Sequence, residues 1–451
     1  MPIEHVSEAI KEWKARKPLY DVQRAYYNGQ HELKFATQDF QQKHGALFED
    51  LRENLCEAVV TAHTDSLSIE TWGDQLDQDK ADELGLSRLE GLVNREMVRC
   101  GDAYSVTWKG RGDTARPRYH RADQIVPFVD ELDPAVLDRA AKPWVAHGHG
   151  RVNIYYADRV ERWVTRNQLP SAAEASYLDA PDDPDQWVPF AGDGEPETIG
   201  HDFGAVPVCW WRRDADDTEG YGRSVLDNVI PLQDALNKGL ADLLVLSETY
   251  ARPFWYLLRY RPEQTNPLIA AQETLRATST ASGRFNPNRQ QIVTHDGEGP
   301  FGQLEPPDLM RLIEQQRELK NKIGSVSGVP TYYFTQTSGQ VPSGESLRVL
   351  RSRLTAAVRN LARDSAPVWR GQASLLGLDG VTPIHADPMP LDETEKYDNA
   401  LKLHSLGVAL EDIVAYLRMP DPEGVVSRAA QARAQSAAAV GEAFRVGQIG
   451  Y

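Results

Sequence analysis

With 66 acidic against 49 basic residues and a net charge of −17, the 451-residue chain lacks the basic balance with which an ordinary duplex-DNA clamp neutralises phosphates. Its 41% hydrophobic and 25% charged residues are those of a soluble protein with a substantial core. No stretch approaches the roughly 18 apolar residues of a membrane span, and MPIEHVSEAIKEWKARK lacks the apolar segment of a secretory signal, so a cytoplasmic origin is expected.

Residues 1–100 are mostly helical in pattern, with Leu47, Phe48, Leu51, Leu55, Val59 and His63 at helical spacing and Leu86 to Val98 forming a second such stretch. Cys56, Cys100 and Cys209 are odd in number and far apart, which argues against a disulfide framework and a CxxC-type zinc site and predicts buried reduced thiols.

Residues 101–215 change character. AYSVTW, QIVPFV, VNIYYA and RVERWVT alternate or cluster β-branched and aromatic residues between Gly, Pro and Asp breaks, which predicts a sheet-rich part. Gly110 to Ala115 matches a loose dinucleotide fingerprint, but Arg116-Pro117-Arg118 follows where a helix is needed, so it reads as a hairpin turn. His147-Gly148-His149 offers two imidazoles without a Cys, Asp or Glu to complete a metal site. The acidic stretch Glu174 to Glu197 reads as a loop.

From Tyr221 to Ala251 the pattern predicts one long amphipathic helix, its part from Pro231 to Tyr250 spanning about 30 Å. Leu232, Ala235, Leu236, Leu240, Leu243 and Leu244 form its apolar stripe, and Asp234, Asn237, Lys238, Asp242 and Glu248 are expected to face water. Arg252 to Glu305 is irregular, with FWYLL and RQQIVTH as short strands. A second helix starts after Pro306-Pro307 with Asp308 in its first turn; Leu309, Leu312, Ile313, Gln316, Leu319 and Ile323 share a face, and Gly324 is expected to end it. The two helices would form an antiparallel hairpin with an irregular knob at its tip.

Ser325 to Ser343 has no charged residue, carries Gly328, Pro330, Gly339 and Pro342, and holds Tyr332, Tyr333 and Phe334, as an inter-helix loop would. Ser343 to Leu376 reads as a long helix with Leu347, Leu350, Leu354, Val358, Leu361 and Trp369 on its apolar stripe and Pro367 as a kink or break. Six Arg on it (348, 351, 353, 359, 363 and 370) face only Glu345 and Asp364, and pairing with carboxylates of a neighbouring subunit is the favoured use of that surplus. Beyond Pro388 and Pro390 come short helices broken at Gly407, Pro420 and Pro422, then an Ala-rich run.

LQDALNK preceded by GRS is accompanied, in order, by YYNGQHELKFA, NLCEAVV, GDAYSVTW, ADRVERW, SGVPTYYF and PSGESLRVL, from about residue 20 to about residue 376. This ordered set resembles the portal proteins of tailed bacteriophages, in particular those of long-tailed actinobacterial phages. The resemblance implies an α+β portal fold: a helical and sheet-rich wing (1–220), stem helix (221–251), small α/β clip (252–305), second stem helix (306–325), tunnel loop (326–343), long wing helix with a return segment (344–391) and helical crown (392–451).

The resemblance further implies a ring, expected as a dodecamer, at one capsid vertex, through which duplex DNA is packaged and ejected. Terminase large subunit, head-to-tail connector, major capsid protein and scaffolding protein would be its partners, with no membrane, in the host cytoplasm during assembly and then the virion. Thr331, Tyr332, Tyr333, Phe334, Thr335, Gln336, Thr337 and Ser338 would face the DNA channel; Gln233, Asn237, Lys238, Arg317, Lys320 and Lys322 would belong to the stem; Leu347, Arg348, Arg351, Leu354, Arg359 and Arg363 would meet a neighbouring subunit.

No catalytic, cofactor or metal residue is expected. With no GxxxxGK[ST] loop in the chain, ATP-driven work would fall to a partner. An acidic wall suits transit, since tight phosphate binding would stall a sliding duplex. Two alternatives remain: another connector or ring protein of a virion, or a hydrolase using paired carboxylates, which the lack of a βα repeat disfavours.

Overall fold

The computed structural model describes residues 2–32, 34, 53–73, 75–109, 114–130, 132–134, 136–170, 176–192, 194, 196–215, 220–250, 255–258, 292–295, 301–303, 308–334, 344–389, 393–417 and 424–435. The fold is α+β, in two compact units, Met1–Pro388 and Met389–Tyr451.

In the first unit α1 (Pro2–Tyr27) runs through Pro18 and buries Val6, Ala9 and Ile10 against a sheet. Three more helices follow: α2 (Leu55–Thr64), α3 (Gln78–Leu84) and α4 (Leu86–Cys100). Their starts and stops obey local chemistry. Asn54 accepts from the Cys56 amide at 3.1 Å, Asp77 from the Lys80 amide at 2.7 Å, and Gly101 ends α4 at φ +85°, a conformation that a Cβ disfavours. The expected apolar residues Leu47, Phe48 and Leu51 lie outside the described residues.

Between α2 and α3, β1 (Ile69–Thr71) pairs with β14 (Ile384–His385). A three-stranded antiparallel sheet has β2 (Asp102–Lys109) between β3 (Ala115–His120) and β10 (Val208–Arg212). Residues 102–107 of β2 are all buried because both faces are covered: Ala103 joins the main helical core while Tyr104 and Val106 pack with Ile125, Val208 and Trp210. The second sheet has the order β4 (Val126–Val129), β5 (Leu137–Ala146), β6 (His149–Tyr155), β7 (Arg159–Thr165), β8 (Trp187–Pro189), with β9 (Thr198–Gly200) also on β7.

His147 and Gly148, at φ 53° and 72°, form the two-residue turn of the β5–β6 hairpin, and His149 Nδ1 lies 3.0 Å from the Thr165 carbonyl. Gly110 to Asp113, where a hairpin turn was expected, lie outside the described residues. The acidic stretch 174–197 is more ordered in pattern than the loop expected there. It holds 3-10 turns at Tyr177–Asp179 and Pro184–Gln186, and then β8, because Trp187 is 1% exposed and donates Nε1 to the Pro181 carbonyl at 3.0 Å.

Helix α5 (Ile230–Tyr250) is shorter than the expected Tyr221–Ala251, since 221–229 are turns and coil. It packs along α6 (Leu309–Ser327), with Gly239 directly facing Gln316. Asp308 is the N-cap of α6, accepting from the Met310 amide at 3.0 Å, and the helix ends at Gly328 with φ 75°; Gly324, the expected stop, lies inside it. Between the two helices, β11 (Trp255–Leu258) pairs parallel with β12 (Ile292–His295) and antiparallel with β13 (Phe301–Gln303). Helix α7 (Gly344–Leu375) continues through Pro367 without the expected break.

The main core joins α2, α4, β2, β10, the start of α5 and the buried side of α7. Trp72, Trp211 and Trp369 meet at its centre with ring centroids 5.5 and 4.8 Å from Trp369.

In the second unit, α8 (Glu393–Ser405) and α9 (Leu410–Leu417) pack together around Ala400, Ile413 and Val414, with Gly407 at φ +88° between them, and residues 424–435 are helical.

Candidate functional site

Helix α6 hands the chain to α7 through a compact aromatic turn. Gly328 stops α6, Val329 is 2% exposed, and Thr331–Tyr333 form a 3-10 turn after Pro330. Ser327 Oγ donates to the Ile323 carbonyl at 2.8 Å and receives the Val329 amide at 3.3 Å. Gly324 lets the turn fold back on the helix: a Cβ there would lie 2.8 Å from the Val329 carbonyl oxygen and 3.5 Å from the Phe334 ring.

Phe334 packs against the core, while Tyr332 and Tyr333 stack at 5.0 Å with Tyr333 41% exposed. Burial raises the Tyr332 hydroxyl pKa, with its neighbour Tyr333 adding to the effect and Arg351 opposing it. Of the expected channel residues, Thr331 to Phe334 are thus one aromatic turn, and Thr335, Gln336, Thr337 and Ser338 lie outside the described residues.

Two arginines of α7 border this turn. Arg353 donates to the Ser325 carbonyl and lies along Gly328, and Arg351 donates to Ser66 Oγ at 3.3 Å. Arg353 was expected, with the other arginines of α7, to pair across a subunit boundary, and its spacing on α7 does not reveal that its stem crosses the end of α6.

Asp234 and Asn237 of α5 depart from the expectation that they face water, whereas Lys238 and Asp242 are half-buried. Gln233, Asp234 and Asn237 are at most 4% exposed. Gln233 donates to the Glu53 carbonyl at 2.7 Å and receives the Leu55 amide at 3.0 Å, and Asn237 receives the Glu53 amide at 3.2 Å and lies 3.0 Å from His31 Nε2. Tyr26 donates its hydroxyl to Asp234 at 2.6 Å, and its ring stacks on His31 at 4.1 Å. Satisfied hydrogen bonds make these burials tolerable, and they tie the first half of α5 to the segments after α1 and before α2.

Lys238 pairs with Asp242 on its own helix, Lys320 with Glu53 at 2.6 Å, and Arg317 and Lys322 are exposed.

On α7 the leucine stripe divides. Leu354 is 1% exposed and belongs to the chain's own core with Val358, Leu361 and Trp369, Leu347 is half-buried, and Leu350 is 51% exposed. Arg359 pairs with Asp387 at 3.1 Å and Arg363 with Asp364 at 3.5 Å, both in solvent-exposed positions. Arg348 is half-buried near the start of the helix. Gln372 is a polar residue that sequence reasoning passed over: it is fully buried, donating to Thr107 Oγ1 at 2.8 Å and accepting from Ser105 Oγ at 2.5 Å, which joins α7 to β2.

The deep carboxylates serve internal donors. Glu96 and Asp123 meet Arg24 at 3.2 and 3.0 Å, and Asp102 accepts from Tyr20, Trp210 and Gly222. Cys56, Cys100 and Cys209 are free and buried, and burial pushes the thiols of Cys56 and Cys209 up to about 12. Among the described residues no helix is long and apolar enough to cross a membrane.

No curated protein matches the chain in sequence. Among solved structures, it resembles a chain in the neck of an empty gene transfer agent particle computed with C6 symmetry, at 14% identity and TM-score 0.46, covering 86% of this chain and 95% of that one. A chain in the neck of the native particle computed with C12 symmetry gives 14% identity and TM-score 0.44 over the same shares. One in the virion of the native particle gives 13% and 0.43, again over 86% and 95%. The family described as "Phage portal protein, SPP1 Gp6-like" matches residues 92–415, from the middle of α4 through both sheets, the α5–α6 pair and α7 to α9. The chain therefore belongs to the SPP1 Gp6-like family of phage portal proteins.

Proposed function

We propose that this chain assembles into a closed ring, a dodecamer, at one vertex of a capsid, and that the ring is the conduit for double-stranded DNA during packaging and ejection. The family match over residues 92–415 is the observation that carries this function. In the ring, α5 and α6 form the stem, β11–β13 the clip, the segment 326–343 the tunnel loop, α7 the long wing helix at the subunit boundary and α8 onward the crown. The terminase large subunit and the head-to-tail connector dock on it from outside, and the major capsid and scaffolding proteins surround it during assembly in the host cytoplasm.

Two physical features fit a conduit. The chain is strongly acidic, so the duplex meets repulsion rather than a continuous basic trap. The Tyr332–Tyr333 pair offers rings and hydroxyls that touch a moving duplex without fixed charge, beside the guanidinium group of Arg351.

Native mass spectrometry with electron-microscope images of the purified full chain tests the assembly: rings of about a dozen copies with a central hole are expected. A stable closed dimer would overturn the ring. Packaging tests the loop: Tyr333→Ala should leave rings intact and shorten the packaged genome, and full-length genomes in that variant would remove Tyr333 from the transit path.

A further inference from the structure

The solvent face of α7 is not the face that carries its buried leucines. Arg353, Ala356, Asn360, Arg363, Pro367 and Arg370, three or four residues apart, point to water. The helix holds six Arg against two carboxylates in a chain of net charge −17, so this face is a local positive stripe on an acidic molecule. Arg363 and Arg370 lie about one turn either side of Pro367. At Pro367 the stripe opens into a cavity of about 360 Å³ walled by Pro367, Val368 and Leu375 of α7 and by Phe203, Val206 and Trp210 of the facing segment and strand.

A surface of the opposite kind lies on the same unit. The 3-10 turn Tyr177–Asp179 presents Leu178 at 61% exposure, followed by the exposed carboxylates Asp182, Asp183 and Asp185. Tyr177 stacks edge-on to Trp13 of α1 at 5.6 Å, and Ala180 and Trp187 are buried beside it, so the turn is held firmly. The hydrophobic cluster that anchors this turn shares no residue with the walls of the cavity. Two separate, complementary patches on one subunit are what a head-to-tail contact requires.

We propose that Leu178 of one copy seats in the cavity beside α7 of the next, with Asp183 and Asp185 against Arg363 and Arg370. This contact rests on the ring assembly proposed above, and it assigns each subunit a donor turn and an acceptor helix.

Cross-linking on the full chain tests it. Gly371 lines the cavity, and a Cβ there meets nothing within 4 Å, so Gly371→Cys is tolerated; Cys209 lines the same cavity and is replaced in every variant by Cys209→Ala, while Cys56 and Cys100 are buried away from it and leave a low background. Rings of the Leu178→Cys, Gly371→Cys double variant, oxidised and then denatured, should give a ladder of covalent multimers, and neither single variant should. Rings without a ladder would overturn the contact and leave the ring standing, whereas a wild-type chain that forms no rings would overturn both.

A charge swap reads the electrostatic half. Arg363→Glu with Arg370→Glu should lower the ring fraction about tenfold, and adding Asp183→Arg with Asp185→Arg should restore it. Folded monomers that stay monomeric after the compensating pair would refute the assigned partners.

Discussion

The Gly222 amide donates to the buried carboxylate of Asp102 at 2.9 Å, joining the segment that leads into α5 to the first residue of β2. Tyr20 Oη of α1 and Trp210 Nε1 of β10 donate to the same carboxylate at 2.8 and 2.9 Å, and Arg16 approaches at 3.6 Å. Gly222 is there because the backbones nearly touch: a Cβ on it would overlap the Gly101 carbonyl. The Arg213 amide donates to that carbonyl at 2.9 Å and Ser224 Oγ to the Arg99 carbonyl, so the turns before α5 are clasped to the end of α4.

Asp102 therefore gives stability a pH dependence of known sign. Burial pushes its carboxyl up to about 6, with the Gly222, Tyr20 and Trp210 donors opposing. Its ordinary value is about 3.9, so between about pH 4 and 6 the folded chain holds a proton that the unfolded chain has lost. That contribution is present at low pH and fades as pH rises through 6, by about 3 kcal/mol in all. Asp102→Asn removes it. From pH 7 to pH 4.5 the wild type should gain about 2 kcal/mol on that variant in urea unfolding; a difference that does not move with pH would contradict the account.

His63 acts in the opposite direction. It is 1% exposed on α2, its Nδ1 lies 2.9 Å from the Val59 carbonyl, and burial pushes it down to about 4. The unfolded imidazole takes up a proton below about pH 6.5 and the folded one does not, so stability falls between 6.5 and 4 by about 3 kcal/mol. His63→Gln should be less stable than wild type at pH 7 and lose less on acidification, as followed by thermal unfolding at pH 7 and 5. Equal losses would mean that His63 is protonated in the folded chain.

Gly324 is the tightest point beneath the tyrosine pair. In Gly324→Ala the new methyl would lie 2.8 Å from the Val329 carbonyl oxygen and 3.1 Å from Thr331 Cγ2, contacts closer than packed atoms adopt. We expect a loss of about 1 to 3 kcal/mol and a changed near-ultraviolet circular dichroism signal from Tyr332 and Tyr333 as their turn moves off the helix. A variant as stable as wild type with an unchanged spectrum would show that the turn shifts freely.

Period and punctuation in the sequence located the elements here: α5, α6 and α7 follow apolar stripes bounded by Pro, Asp and Gly, and the strands of 101–215 follow β-branched clusters. Period does not say which side of a polar residue is dry. Gln233, Asp234 and Asn237 look like a water-facing set until Glu53, Leu55, His31 and Tyr26, remote in sequence, are brought against them. Gly324 and Gly328 are equally good stops on composition, and the choice falls to Gly328 because Val329 and Phe334 pack back over Gly324. The aromatic turn was legible as an uncharged breaker-rich segment, but its two arginine neighbours come from a helix that begins ten residues later than the turn ends.

The split of the α7 leucines separates folding from assembly. Leu354 lies in the subunit's own core at 1% exposure, so Leu354→Ala should cost about 2 to 5 kcal/mol in the stability of the monomer through lost burial and the cavity left behind. Leu350, one turn earlier, is 51% exposed, and Leu350→Ala should change monomer stability by no more than about 0.5 kcal/mol. If α7 lies at a subunit boundary, the second substitution should nonetheless reduce the fraction of rings at a given protein concentration, because an exposed leucine contributes burial only once a neighbour covers it. Denaturant unfolding of monomers and ring fractions from native mass spectrometry, measured on both variants, separate the two effects. Leu350→Ala rings as abundant as wild type would place that part of α7 on an outer surface of the assembly and move the boundary toward the helix's arginine-bearing C-terminal half.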